Sequence, residues 1–166
     1  RDSLLTLAIR NGRNDIVEAM LDTVKGRALI REHGCVYIAA ASGNAGALEL
    51  LADIPQCREQ FGPSKQMLDG MQVLPINQSY LYVTALTAAI RSGHEKSTDC
   101  IKAILRTQEG RESLKTSPHS YEVYPLDPLS AAAASAAPDK MMKLLLQNQL
   151  GATRYKMTFK QAVAAL

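Results

Sequence analysis

Aromatic residues are scarce in this chain of 166 residues, which contains two Phe, six Tyr and no Trp. A packed β-sandwich draws on aromatic and β-branched side chains, so their shortage disfavours a sheet protein. Alanine and leucine replace them, with 23 and 21 copies. Both are strong helix formers, and the composition therefore favours closely packed helices. A hydrophobic share of 46%, with 21% charged residues, is typical of a folded globular chain rather than a disordered one.

Long apolar runs and an excess of one charge are also missing. No uninterrupted apolar stretch approaches the roughly 18 residues of a membrane-spanning helix, so we expect no membrane insertion. Nineteen basic against sixteen acidic residues leave a net charge of +3 without a long like-charged block, so the charge does not indicate a nucleic-acid partner. The three cysteines, Cys35, Cys57 and Cys100, are odd in number and widely spaced, which favours reduced thiols in an intracellular (cytoplasmic or nuclear) protein.

The sequence contains no recognisable catalytic, cofactor-binding or metal-binding motif. His33, His94 and His119 have no cysteine or histidine at the spacing of a metal site. The cysteines have no nearby base to activate them, and no glycine-rich phosphate loop is present. We therefore expect no catalytic residue, no cofactor and no bound metal.

Four segments repeat one pattern of apolar and small residues. In each, an apolar residue stands three positions before an alanine, which places both on one face of a helix. The pairs are Leu5 and Ala8, Val36 and Ala39, Leu86 and Ala89, and Leu129 and Ala132. In the first three segments a glycine follows four positions later, at Gly12, Gly43 and Gly93, where it suits a left-handed helix cap. A second apolar stretch comes next, so each segment predicts two helices packed back to back.

These segments resemble the ankyrin repeat, whose consensus is roughly T-P-L-H-x-A-x-x-x-G-H-x-x-I-V-x-x-L-L. The closest matches are 84–94 (TALTAAIRSGH) and 127–132 (DPLSAA), and Leu150-Gly151-Ala152 is similar to the family's L-L-x-x-G-A ending. The proline of the motif survives only as Pro128. Its histidine is replaced by residues whose hydroxyls can retain part of its hydrogen bonding, namely Thr6, Tyr37, Thr87 and Ser130. The resemblance implies an all-α fold, an ankyrin-type α-solenoid of stacked helix-turn-helix repeats, in which short β-hairpin fingers can connect the units.

The repeats are irregular in length. The equivalent alanines Ala8, Ala39, Ala89, Ala132 and Ala162 are separated by 31, 50, 43 and 30 residues. We divide the single domain 1–166 into repeats at about 2–33, 34–83, 84–126 and 127–157, with a partial repeat at 158–166. The extra residues form two insertions, 53–83 and 107–126, and solenoid insertions often lie on the binding face. Because the chain starts at Arg1 and stops within a fifth unit, we expect it to be a piece of a longer protein.

Two sets of residues are candidates for contact with a partner. The stretches 72–83 and 117–126 have the composition of extended structure, and they carry four of the six tyrosines, Tyr80, Tyr82, Tyr121 and Tyr124. Tyrosine is an efficient interface residue. The alternative is that these rings only cover their own loops.

The second set lies at the ends of the first helices: Arg10, Asn11, Ser42, Arg91 and Ser92. The ankyrin resemblance implies that these sites line a concave surface, where arginine would bind acidic or phosphorylated side chains. The alternative is a solvated helix end whose charge favours the helix dipole.

Together these features predict a non-catalytic protein–protein interaction module that recognises a partner protein or peptide segment, as a monomer, with neither nucleic acid nor a membrane as partner. The alternative is the substrate-targeting or regulatory ankyrin module of a larger enzyme, or of a bacterial effector in the host cytosol, whose catalytic domain lies outside residues 1–166. A tetratricopeptide array is disfavoured because it uses larger aromatic residues and a regular period.

Overall fold

Helices make up most of the computed structural model, which describes residues 3–32, 34–62, 84–93, 95–115, 128–133, 135 and 137–147. Within these ranges no β-strand occurs, so the prediction of an all-α fold is confirmed for the described residues. The helices are α1 (Leu4–Arg10), α2 (Asn14–Leu21), α3 (Val24–Glu32), α4 (Cys35–Ala41), α5 (Ala45–Ala52), α6 (Arg58–Phe61), α7 (Ala85–Arg91), α8 (Ser97–Arg106), α9 (Gln108–Glu112), α10 (Pro128–Ala133) and α11 (Pro138–Gln147). Short 3-10 turns occupy Pro55–Cys57 and Ser113–Lys115.

Hydroxyl side chains cap the N-termini of α1 and α7 in the same way. The Thr6 amide donates to Ser3 Oγ at 3.2 Å, and the Thr6 hydroxyl donates back to the Ser3 carbonyl at 2.8 Å. Thr87 repeats both bonds with Thr84, at 3.2 and 2.9 Å. These bonds satisfy backbone groups that a helix start otherwise leaves open. For Thr6 and Thr87, the predicted hydrogen bonding by a hydroxyl at the motif's histidine position is therefore confirmed.

The turn after each of the first three repeat helices depends on a left-handed glycine. Gly12, Gly43 and Gly93 have φ of +67°, +69° and +64°, a region that glycine enters without steric cost. The amide of the residue after Gly12 and Gly43 then bonds back to the carbonyl of Ala8 and Ala39, at 2.9 Å in both cases. The predicted left-handed caps are confirmed at all three glycines.

The helices form pairs that stack in chain order. α1 packs with α2, α4 with α5, α7 with α8, and α10 with α11. The first helices of the pairs make a row in which α1 contacts α4, α4 contacts α7, and α7 contacts α10; we call it the first row. The second row consists of α2, α5 and α8, which contact one another in that order. The four repeat alanines of the first row are buried, at 5%, 0%, 0% and 0% exposure, so the neighbouring backbones can approach closely (Ala8, Ala39, Ala89 and Ala132).

A third row of short helical segments was not predicted. It contains α3, the segment 55–61 and α9, in which α3 contacts the turn Pro55–Cys57 and α6 contacts α9. The described parts of both insertions, 53–62 and 107–115, are thus largely helical. The stretches 72–83 and 117–126, where the hairpin composition lies, fall outside the described residues.

One short motif, Thr-x-x-Gly-Arg, connects the second row to the third. The Thr23 hydroxyl donates to the Met20 carbonyl at 2.8 Å and accepts the Gly26 amide at 2.9 Å. Thr107 makes the same two bonds, to Ile104 at 2.7 Å and from Gly110 at 3.0 Å. The hydroxyl thereby joins the end of one helix to the start of the next and satisfies a backbone group of each.

The arginine of the motif closes the preceding helix. Arg27 Nε donates to the Leu21 carbonyl at 2.6 Å, and Arg111 Nη1 donates to the Leu105 carbonyl at 3.2 Å. A cationic donor is favourable there because the last carbonyls of a helix are unpaired and carry the negative end of the dipole.

Polar side chains tie neighbouring units together. Asn44, only 9% exposed, donates through Nδ2 to the Ile9 carbonyl and to Asn14 Oδ1, both at 2.9 Å. Gln60 Nε2 donates to the Ile30 carbonyl at 3.0 Å. The Ser113 hydroxyl donates to the Phe61 carbonyl at 3.1 Å, joining the third-row segments of two successive units. These bonds specify how one unit is placed on the next, which apolar packing alone does not do.

The three cysteines lie in the core as free thiols, as predicted. Burial raises the pKa of Cys35 and Cys57 to about 12 and that of Cys100 to about 11, because an apolar environment disfavours the thiolate. In the unfolded chain, where water solvates the thiolate, the pKa of a cysteine thiol is about 8.5.

Alkaline pH is therefore expected to destabilise the fold between about pH 9 and pH 11. In that window the unfolded chain releases thiol protons that the folded chain retains, so stability falls as pH rises, by about 1 kcal/mol per buried thiol at pH 10. Urea unfolding at pH 8 and at pH 10 measures the difference. Cys57→Ala is expected to remove about one third of the thiol contribution. Equal stability of the native chain at the two pH values would contradict this prediction.

Candidate protein-binding surface

The two predicted arginines stand at equivalent ends of first-row helices. Arg10 is the last residue of α1 and Arg91 the last residue of α7, and both are exposed. Helix α4 lies between them, and helices in contact are spaced by about 8–10 Å, so the two helix ends are about 16–20 Å apart. The fold thus places the two arginines in one row without bringing them to a common point.

The polar residues beside the cap glycines are engaged in closing their own helices. Asn11 Nδ2 donates to the Leu7 carbonyl at 2.9 Å. The Ser92 hydroxyl donates to the Ala89 carbonyl at 2.8 Å and shares a 3.0 Å hydrogen bond with Ser97 Oγ at the start of α8. Ser42 is half-buried, and its amide bonds to the Ile38 carbonyl at 2.9 Å. These bonds assign a structural role to the side chains of Asn11 and Ser92.

Tyr37 is a surface residue that the site prediction missed. It lies on α4 one turn before Ala41, and Ala41 is the position that corresponds to Arg10 and Arg91 in the repeat. Its equivalents Thr6 and Thr87 are 1% exposed, whereas the larger Tyr37 ring is half-buried and reaches the surface. The signal available in the sequence was a large ring at a repeat position that otherwise carries threonine or serine.

The charge of Arg91 acts on the Tyr37 phenol. Burial raises the pKa of Tyr37, and the positive charge of Arg91 opposes part of that increase. The helices that carry the two residues, α4 and α7, pack against each other, although the residues are 54 positions apart in sequence. A tyrosine ring and a guanidinium on adjacent helices provide an apolar surface, a hydroxyl and a planar cationic donor on the same row of helices.

The other residues singled out in the sequence analysis are not among those that the structure describes. Tyr80, Tyr82, Tyr121 and Tyr124 lie outside the described residues, as do the three histidines. Within the described ranges, no three His, Cys, Asp or Glu side chains are grouped in a way that could hold a metal ion. The described helices include none with both the length and the apolar character needed to cross a bilayer.

Comparison of the chain with protein-family models, with curated proteins and with solved structures found no match.

Proposed function

We propose that this chain is a non-catalytic, ankyrin-type recognition module that holds a segment of a partner protein across its first row of helices. The observation that carries the proposal is the juxtaposition of Tyr37 and Arg91 on neighbouring helices of that row. It rests also on the repetition of the helix pairs, with their left-handed cap glycines at equivalent positions.

The chemistry of this pair favours an acidic segment. Arg91 offers a planar fork of donors that matches a carboxylate or a phosphate. Tyr37 offers a rigid ring whose position is already limited by burial, so little side-chain entropy is lost when a partner packs on it. The first-row helices behind both residues are held by buried alanine contacts, so the surface is largely pre-formed.

The test is to select peptides that bind the chain and to measure their dependence on this pair. Random peptides displayed on phage are selected on the wild-type chain, and the enriched peptide is synthesised for titration. We expect enrichment of Asp and Glu, and binding at least about 10-fold weaker for Arg91→Glu, because arginine and tyrosine anchors commonly contribute 2 kcal/mol or more. Tyr37→Thr, which restores the residue found at the equivalent positions 6 and 87, is expected to weaken binding to a similar extent.

Lys102→Glu is the matched control, since it reverses an exposed charge on α8, in the second row. It should leave binding within about twofold of the wild type if the first row is the site. A selection that enriches no peptide, or peptides that bind Arg91→Glu and Tyr37→Thr as tightly as the wild type, would overturn the proposal.

A further inference from the structure

A groove separates the ends of two second-row helices on the part of the molecule formed by α2, α5 and the third row. It has a volume of about 480 Å³, within the range of about 300–1,000 Å³ that is usual for ligand pockets. Leu21, Leu50 and Ile54 supply apolar surface to it. No residue of the first row lines it, so the groove is separate from the surface around Tyr37 and Arg91.

The charged lining of the groove is mainly acidic. Glu18, Asp22 and Asp53 contribute three carboxylates against the single guanidinium of Arg27, which leaves two net negative charges in a chain whose net charge is +3. The Nε–H of Arg27 donates to the Leu21 carbonyl. Among the described residues, none forms an ion pair or a side-chain hydrogen bond with the three carboxylates.

The positions of these carboxylates are unfavourable for the fold itself. Asp22 is the C-cap of α2 and Asp53 is the C-cap of α5, so both stand at the negative end of a helix dipole. Glu18 lies one turn before Asp22 on the same helix, a like-charge spacing that destabilises a helix. A cation placed in the groove would relieve both effects, and natural sites often retain such locally unfavourable charges for binding.

We propose that this groove binds a basic segment of a partner protein through an inserted arginine side chain. The arginine stem packs on Leu21, Leu50 and Ile54, while its guanidinium lies between the carboxylates of Asp22 and Asp53. A guanidinium fits this role better than an ammonium because it is less strongly hydrated, and because its planar face packs on apolar surface while its edge donates to two carboxylates. This partner chemistry is opposite to that of the first-row surface, so the inference goes beyond the function proposed above.

The test uses the peptide acetyl-Gly-Ser-Leu-Arg-Leu-Arg-Leu-Ser-Gly-amide with a fluorescent label, and a matched peptide in which citrulline, a neutral isostere, replaces both arginines. In fluorescence anisotropy at low salt, we expect the arginine peptide to bind at least about 10-fold more tightly than the citrulline peptide, and to weaken as salt rises. A lysine version is expected to bind more weakly than the arginine version. Amide NMR shifts are expected to concentrate at residues 18–22 and 50–56.

The double variant Asp22→Asn/Asp53→Asn tests the carboxylates directly. We expect it to bind the arginine peptide at least about 10-fold more weakly than the wild type does. We also expect it to melt about 1–2 °C higher, because it removes a negative charge from the C-terminal end of each of two helices. A variant that merely failed to fold would melt lower, so the melting temperature distinguishes lost binding from lost structure. Asp99→Asn, an exposed carboxylate on α8 outside the groove, is the matched control and is expected to bind normally.

Three outcomes would overturn the groove proposal: equal binding of the citrulline peptide, equal binding by Asp22→Asn/Asp53→Asn, or shifts located elsewhere on the molecule. Arg91→Glu is expected to leave binding of the arginine peptide unchanged. The two proposals concern different surfaces and are tested with different variants, so one can fail without the other.

Discussion

Alanine in place of Gly26 or Gly110 is expected to lower the free energy of unfolding by about 3 kcal/mol, although alanine is the better helix former. Both glycines are buried and occupy the first turn of a third-row helix. A Cβ added at Gly26 would collide with the Met20 carbonyl, and one added at Gly110 would collide with the Ile104 carbonyl. These obstacles are backbone atoms of the preceding helix, which cannot rotate away as a side chain could.

Whether these substitutions stabilise or destabilise the protein shows which is stronger, the helix propensity of alanine or the steric clash with the preceding helix. Helix propensity alone predicts that Gly→Ala stabilises a helical position by about 1 kcal/mol. Gly34→Ala is the matched control, because its Cβ would meet only Tyr37 Cβ at 3.9 Å, an ordinary contact. We expect Gly34→Ala to change stability by less than about 1 kcal/mol. Urea unfolding measures all three variants, and a stabilised Gly26→Ala or Gly110→Ala would refute the close approach of the second and third rows.

Asn44→Ala is expected to cost about 2–3 kcal/mol because it leaves several buried polar groups without partners. The Asn44 side chain accepts the Ala47 amide at 3.0 Å, which starts α5, and donates to the Ile9 carbonyl and Asn14 Oδ1 in the preceding unit. One side chain therefore satisfies groups of two repeats in a site from which water is largely excluded.

Asn44→Asp distinguishes the two roles of this residue. Aspartate is as good a helix N-cap as asparagine, so the bond from the Ala47 amide is retained. It has no amide hydrogen to donate to Ile9 or Asn14, and its charge would be buried, so we expect a loss at least as large as for alanine. Asn11→Ala, which removes one exposed bond to Leu7, is the control and is expected to cost less than about 1 kcal/mol. If urea unfolding showed Asn44→Asp to be as stable as the wild type, the bonds from Asn44 to Ile9 and Asn14 would contribute nothing to stability beyond the helix cap.

The repeated helix pairs could be predicted from the sequence because their signals are local. The three-residue spacing of Leu5 and Ala8, and of Leu86 and Ala89, defines one buried helix face. Gly12 and Gly93 mark helix ends because few other residues adopt positive φ readily. These features depend on neighbours within about four residues, so a single sequence contains the information.

The third row was missed because its local signals point away from a helix. Within α3 and α9, Gly26 and Gly110 resemble helix breakers, and the polar surroundings resemble a loop. The Thr-x-x-Gly-Arg motif at 23–27 and 107–111 was present as a repeat, but its meaning lies in bonds to the carbonyls of the preceding helix. Those bonds form only when the chain reverses tightly after the second-row helix.

What the sequence determined by itself is the helical class, the pairing of helices and the positions of the left-handed caps, since each follows from periodicity or backbone sterics over a few residues. The tertiary structure alone decided which distant residues become neighbours: Tyr37 and Arg91 on adjacent first-row helices, Asn44 bonded to the Ile9 carbonyl between units, and Asp22 and Asp53 lining one groove. The physical reason is that such contacts join residues about 30 or more positions apart. Their distances are set by how closely whole helices pack, and the buried alanines allow the first-row helices to approach closely.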